Sequence, residues 1–174
     1  MCIRDRTLDN WKRYLREEQG KPEHKGACFI IHSPDNDSVL LIKRAEGSYV
    51  GELTGPGGGT EEGEEPFQTA TREAQEEIGM DFTGREHMGE HHDHQDGKVF
   101  TTFLVSKIGE PDCKLNHEHD AWGWFDTEEI KEAIQRFGGV LKSNKFRGRD
   151  NKPLDTEGKI HYNTIDALKK FGLI

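Results

Sequence analysis

The sequence is poor in cysteine, in proline and in apolar bulk. Cys2, Cys28 and Cys113 are its three thiols. No two share the close spacing of a zinc ribbon or a stapled small domain, which excludes a disulfide framework and leads to the expectation of a reducing, cytoplasmic setting. No apolar run approaches the roughly 18 residues needed to span a bilayer. The amino terminus lacks the long apolar stretch of a secretory signal, so no membrane partner is expected. Positive charge is also scarce: 24 Lys and Arg face 33 Asp and Glu, for a net charge of −9. A surface that binds a polyanion should be basic, so long nucleic acid is excluded as the expected partner. The hydrophobic fraction of 32% and charged fraction of 33% suit one core with much solvated surface. The expectation is an amphipathic helix within residues 1–20, on the spacing of Leu8, Trp11 and Leu15 with Tyr14, ahead of a single domain over 21–174. The opening MCIRDR resembles a translated sequencing adapter, so Cys2 and Arg4 carry no functional weight.

What the chain does have is concentrated in Gly58–Met80, GGTEEGEEPFQTATREAQEEIGM. Pro66 suits the first turn of a helix, where its missing N–H would have had no partner, and Gly79 suits the left-handed residue beyond the end. A helix is therefore predicted over Pro66–Ile78. At about 100° per residue, Phe67, Ala70, Ala74 and Ile78 form an apolar stripe, and Glu73, Glu76 and Glu77 share the face beside it. Carboxylates that close repel one another, most of all at the negative end of a helix dipole. A hard cation such as Mg²⁺, which takes oxygen ligands, reverses that penalty. The plainer alternative is a solvated acidic face. Against it stand Gly55-Pro56-Gly57-Gly58-Gly59, which permits close backbone approach, and Arg72, whose fork can hold Glu64 and pin the loop to the helix.

The pattern G-x5-E-x7-R-E-U-x-E-E-x-G-U, with U apolar, is filled at every position by Gly58, Glu64, Arg72, Glu73, Ala74, Glu76, Glu77, Gly79 and Met80. In this the chain resembles the Nudix hydrolases. The signature covers 23 of 174 residues, and Val39–Arg44 and Val99–Val105 are similar to the family's flanking strands. The resemblance implies an α/β fold, a mixed β-sheet between helices in an α/β/α sandwich. It also implies Mg²⁺- or Mn²⁺-dependent hydrolysis of a small nucleoside diphosphate linked to another group. It further implies metal coordination by Glu73, Glu76 and Glu77 with the Gly58 carbonyl, and a structural Glu64–Arg72 bridge.

Around the signature, Ala27–His32 and Ser38–Arg44 read as a hairpin across the Ser33–Asp37 turn cluster, and Lys98–Ser106 as a strand entered through Asp96-Gly97. Ala121–Phe125 reads as a short aromatic strand. Asp126 with Glu129 resembles a capping box for a helix ending near Gly138-Gly139. Ser143–Gly158 is polar and reads as a loop or lid, before a last helix over Thr164–Phe171.

Other side chains have two readings each. His91, His92 and His94, with His87 nearby, suggest either a transition-metal site or a solvated turn; neighbours on a strand point to opposite sides, which favours the turn. Glu118, before the aromatic strand, resembles the extra glutamate that many Nudix enzymes bring to the metal as ligand or general base, the alternative being a loop acid that balances adjacent histidines. Glu76, Glu77 and Glu118 are the base candidates. Lys43 and Arg44 are candidate phosphate contacts or plain strand-end charges. Trp122 shares a strand face with Trp124, for core packing or for stacking on a nucleobase. Gln95 stands where family members acting on ADP-ribose often carry proline, and no NADH-type or coenzyme A-type extension is found. Nucleoside triphosphates, nucleotide sugars and dinucleoside polyphosphates remain, with cleavage of a triphosphate to monophosphate and pyrophosphate preferred. A non-catalytic nucleotide-binding module is the contrasting class, and retention of Arg72, Glu73, Glu76 and Glu77 argues against it. An EF-hand-like Ca²⁺ site is excluded by the spacing of Asp35-Asn36-Asp37.

Overall fold

The computed structural model describes residues 23–174; the expected helix within residues 1–20 lies outside them. In chain order come β1 (Glu23–Ser33), β2 (Ser38–Arg44), β3 (Glu52–Thr54), β4 (Gly57–Gly59), α1 (Pro66–Ile78), β5 (Gly89–Gln95) and β6 (Lys98–Ser106). They are followed by β7 (His119–Asp126), α2 (Thr127–Phe137), β8 (Val140–Ser143), β9 (Arg147–Gly148), β10 (Thr156–Ile160) and α3 (Tyr162–Lys170). The strands join in the order β5-β6-β1-β2-β3-β10-β8, with β4 also on β1, and β7 between β2 and β9. Parallel β1–β6 and β3–β10 pairs among antiparallel neighbours make the sheet mixed.

Strand alternation sorts the core into two layers. Ala27, Phe29 and Ile31 of β1, Leu40 and Ile42 of β2, and Trp122 and Trp124 of β7 pack with Ala70, Ala74 and Ile78 of α1. The intervening Ile30, Val39, Leu41, Ala121 and Phe125 pack on the other face with Ile130 and Ala133 of α2 and Ala167 and Leu168 of α3. Period-two strands with both faces apolar require a helix on each side. The expected α/β/α sandwich is the fold observed.

Local chemistry explains both ends of α1. Gly79 closes α1 in the left-handed conformation (φ 72°), its amide reaching the carbonyls of Ala74 and Gln75. At the other end, Gln68 Oε1 accepts from the Glu65 amide at 2.9 Å. The capping box expected at Asp126 and Glu129 does not form. Both acids are drawn instead to Lys145 Nζ, at 2.9 and 2.7 Å. The start of α2 is tied to the β1–β2 turn, where the Asp37 side chain accepts from the Thr127 hydroxyl at 2.8 Å. The Ser143–Gly158 segment is also no lid. Phe146 is fully buried against Phe125, β9 pairs with β7, and β10 begins at Thr156. One buried aromatic in a polar stretch is enough to pin it, and no periodicity announces it.

The histidine cluster lies on β5, a sheet edge rather than a turn. Glu90 bridges His87 Nε2 at 3.0 Å and His92 Nε2 at 3.3 Å, and His92 Nδ1 meets the Thr101 hydroxyl at 3.1 Å. Among the described residues, no group of three His, Cys, Asp or Glu side chains stands in a metal-holding arrangement, and no helix is long and apolar enough to cross a membrane. Cys28 and Cys113 are both free thiols.

Candidate active site

The site starts where the glycine loop crosses α1. A side chain at Gly58 would bring its Cβ within 2.5 Å of Glu73 Oε1, so only glycine lets the loop lie on this carboxylate. Next to it, the Gly57 amide donates to Glu77 Oε2 at 2.8 Å. Arg72 ties loop to helix: Nε donates to Glu64 Oε1 at 2.8 Å, Nη2 to the Gly59 carbonyl at 2.9 Å, and Nη1 to Glu73 Oε1 at 2.8 Å and Glu76 Oε2 at 3.3 Å. The Arg72 fork, with the amide of Glu61, holds the Glu64 carboxyl down at about 2.

The three helix glutamates differ in environment. Glu76 is 56% exposed, Glu73 15% and Glu77 2%. Burial pushes Glu77 up to about 8, with the charges of Glu73 and Glu118 adding to the rise and the Gly57 amide opposing it. Burial also raises Glu73, against the pull of Arg72. Glu118, from the loop before β7, is half-buried, and its charge is felt at both Glu73 and Glu77. The fold therefore brings Glu118 to the helix acids across more than forty residues of chain, a separation visible in the numbering. Buried His119 lies beside it, Nε2 3.8 Å from Glu77 Oε1, and desolvation with the charges of Arg44 and Arg149 keeps it neutral, near 4.

Glu73 and Glu77, whose proton affinity burial raises, stand with Glu76 and Glu118 as carboxylate oxygen donors of the kind a hard divalent cation takes, although no three of them are drawn into a ligating arrangement here. The Gly58 carbonyl oxygen lies against Gly26 of β1, so its assignment as a ligand rests on the resemblance alone.

Behind the same glycine loop, on the α3 side of the sheet, is a cavity of about 410 Å³. Arg44, Tyr49, Phe100, His161, Tyr162 and Asn163 line it beside Gly57, Gly58 and Gly59. Arg44 Nε and His161 Nε2 are buried without hydrogen-bond partners, and both residues face this cavity. His161 Nδ1 accepts the Asn163 amide at 3.2 Å, and Tyr49 packs edge-on against the His161 ring at 4.7 Å. Tyr49 holds a left-handed backbone (φ 61°), a costly conformation for a bulky residue.

Two of the candidate contacts, Lys43 and Trp122, lie away from the cavity. Lys43 does not line the cavity: its Nζ is drawn along the sheet to β10, where it donates to the Thr156 hydroxyl at 2.8 Å. Trp122 is 3% exposed in the α1-side core, with its indole N–H on Asn151 Oδ1 at 3.2 Å, so the ring has no open face for a base. Sequence reasoning missed Tyr49, Phe100, His161 and Tyr162. They come from three separate segments, with His161 and Tyr162 adjacent, and no local pattern marks them.

The NUDIX domain family matches residues 22–143. The human diphosphoinositol polyphosphate phosphohydrolase NUDT4B is 28% identical over 117 residues, which cover 64% of this chain and 62% of that protein. The chain thus spans under two thirds of this relative's length. A solved C. elegans Ap4A hydrolase binary complex is 25% identical with a TM-score of 0.53, over 66% of this chain and 90% of that one. The MutT NUDIX hydrolase of Burkholderia pseudomallei, at 18% identity and a TM-score of 0.54 over 86% of this chain and 98% of that one, shares the fold. With every signature position filled, the sandwich in place and the family match spanning both flanks of the signature, the chain belongs to the Nudix hydrolase family.

Proposed function

We propose that the protein hydrolyses a phosphoric anhydride in a nucleoside diphosphate linked to another group, with a nucleoside triphosphate cleaved to monophosphate and pyrophosphate as the preferred substrate. The observation that carries this reading is the shared glycine loop. Gly57 and Gly58 touch the Glu77 and Glu73 carboxylates on one side and border the aromatic cavity on the other. A substrate with its base in the cavity would present its phosphates along the loop to the acids.

Glu73, Glu76, Glu77 and Glu118 would hold the Mg²⁺ or Mn²⁺ that Nudix hydrolases generally use. When bound, such an ion neutralises phosphate charge and makes water more acidic. The chain's own groups do the rest. Arg44 offers its guanidinium to phosphate oxygens at the cavity's edge. One carboxylate, from Glu76, Glu77 or Glu118, accepts the proton of the attacking water on an Oε atom. A new P–O bond forms in line as the bridging P–O bond breaks, and the leaving phosphate keeps that electron pair. Arg72 and Glu64 keep helix and loop in register throughout. Residues beyond 143 supply α3 and so complete the cavity; in this reading 21–174 act as one unit, in a cytoplasmic setting.

The resemblance to an Ap4A hydrolase supports a second reading, a dinucleoside polyphosphate as substrate. One experiment addresses both: release of phosphate or pyrophosphate with Mg²⁺ from nucleoside triphosphates, nucleotide sugars, dinucleoside polyphosphates and diphosphoinositol polyphosphates. Pyrophosphate release from a triphosphate is expected to be fastest. No release from any of them, with nucleotide still bound, would mean a non-catalytic binding module.

A further inference from the structure

Glu118 faces an electrostatic problem that its own loop does not solve. Its charge opposes those of Glu73 and Glu77, so an untethered loop would swing it toward solvent. Yet the loop is held. Arg149, at the turn after β9, donates from Nη2 to the His117 carbonyl at 2.6 Å and from Nε to the His119 carbonyl at 2.7 Å. These two carbonyls flank Glu118. From the opposite side, the Ala45 amide donates to the carbonyl of Glu118 itself at 2.7 Å. The Glu118 amide is satisfied by Asn116 Oδ1 at 3.0 Å. The β2–β7 ladder shifts register between Lys43 and Arg44, so the ladder alone does not fix this end of β7.

The segment that carries Arg149 is itself rigidly placed. Phe146 is buried, β9 pairs with Ala121 and Trp122, and Asn151 takes the Trp122 indole N–H. Arg149 therefore reaches the loop from a fixed base. A guanidinium carries two parallel N–H groups at a set spacing, and here they span three residues of backbone.

We infer that Arg149 is a positioning residue that clamps the backbone on both sides of Glu118 and so keeps this carboxylate with the acids of α1. The inference rests on the proposed role of Glu118 as ligand or base. It gives the polar stretch between β8 and β10 a role in the reaction, although none of its side chains joins the carboxylate cluster.

The test is a double-mutant cycle on kcat at saturating Mg²⁺, with hydrogen exchange on the metal-free proteins. Arg149→Ala is expected to lower kcat about tenfold, the loss typical of a support removed from behind a ligand, with KM within about twofold on the same grounds. Glu118→Gln should lower kcat at least as much, and adding Arg149→Ala to it should change little, because the clamp has nothing left to position. The amides of Ala45 and Glu118 should exchange faster in Arg149→Ala. Arg149→Lys keeps the charge without the fork; it should fold if the alanine variant does not, and should still show reduced kcat and faster exchange. Losses that multiply in the double variant, or exchange at those amides equal to the parent, would overturn the clamp. A parental rate in Glu118→Gln would instead remove the role of Glu118, and the clamp's purpose with it.

Discussion

The two sides of the glycine loop are built in opposite ways. On the α1 side, Glu64, Arg72, Glu73, Glu76 and Glu77 lie within one short stretch of sequence, and charge is crowded and negative. On the α3 side, Arg44 with Tyr49, Phe100, and the adjacent pair His161 and Tyr162 come from three distant stretches of chain, and aromatic faces and unpaired N–H donors line a hollow. Arg44 connects them. It lines the cavity while its charge is felt at Glu77 and His119 beneath the loop. The contrast teaches a division of labour. Chemistry that needs several like charges at fixed offsets is built on one helix, whose geometry sets those offsets. Recognition of a ligand needs only convergent surfaces, which any sheet can gather.

If that division holds, substitutions on the two sides should fail differently. The largest effect is expected for Glu76→Gln, which keeps volume and removes one charge: turnover should fall about a hundredfold, in the range of a lost proton acceptor or ligand, with the fold intact. In metal-free buffer its melting temperature should match or exceed the parent's, because a repelling charge has gone. Turnover within about threefold of the parent, under 1 kcal/mol of barrier, would break the assignment of the α1 side to chemistry.

Arg72→Ala should act through structure and cost about 3 kcal/mol, as for a pair broken on one side. Its pH dependence has a definite sign. Glu64 titrates near 2 in the fold against an ordinary 4.5, so the pair stabilises the protein above pH 4.5 and that contribution fades as pH falls toward 2. The gap in unfolding free energy between parent and variant should therefore narrow over that acidic window. A constant gap would mean that Arg72 supports the fold by some route other than Glu64.

The smallest effect is expected on the α3 side. Tyr49→Ala should raise KM for a nucleoside triphosphate severalfold, the worth of one aromatic contact of about 1 kcal/mol, and leave kcat near the parent. It should also relieve little strain, since alanine meets the same steric limit at φ 61°. A fall in kcat with KM unchanged would show that the cavity takes part in the chemistry and erase the contrast.

The sequence by itself determined what local rules can reach. Helix α1 runs from Pro66 to Ile78 as its proline, glycine and apolar stripe require, β2 and β6 have their expected bounds, and Asp96-Gly97 turns the β5–β6 hairpin. The signature acids were legible because a helix fixes their relative directions at offsets of three and four. The tertiary structure alone decided the rest. It buried Glu77 beneath Gly57 while leaving Glu76 in water, although both lie on the same acidic face. It turned Lys43 away and Arg44 toward the cavity, drew Asp126 and Glu129 from a cap to Lys145, and closed Trp122 into the core. It also set Arg149 behind Glu118 from a stretch that reads as loop. The physical reason is range: capping, turn and periodicity effects act over a few residues, whereas burial and convergence depend on which distant strands meet, and that is settled only when the sheet closes.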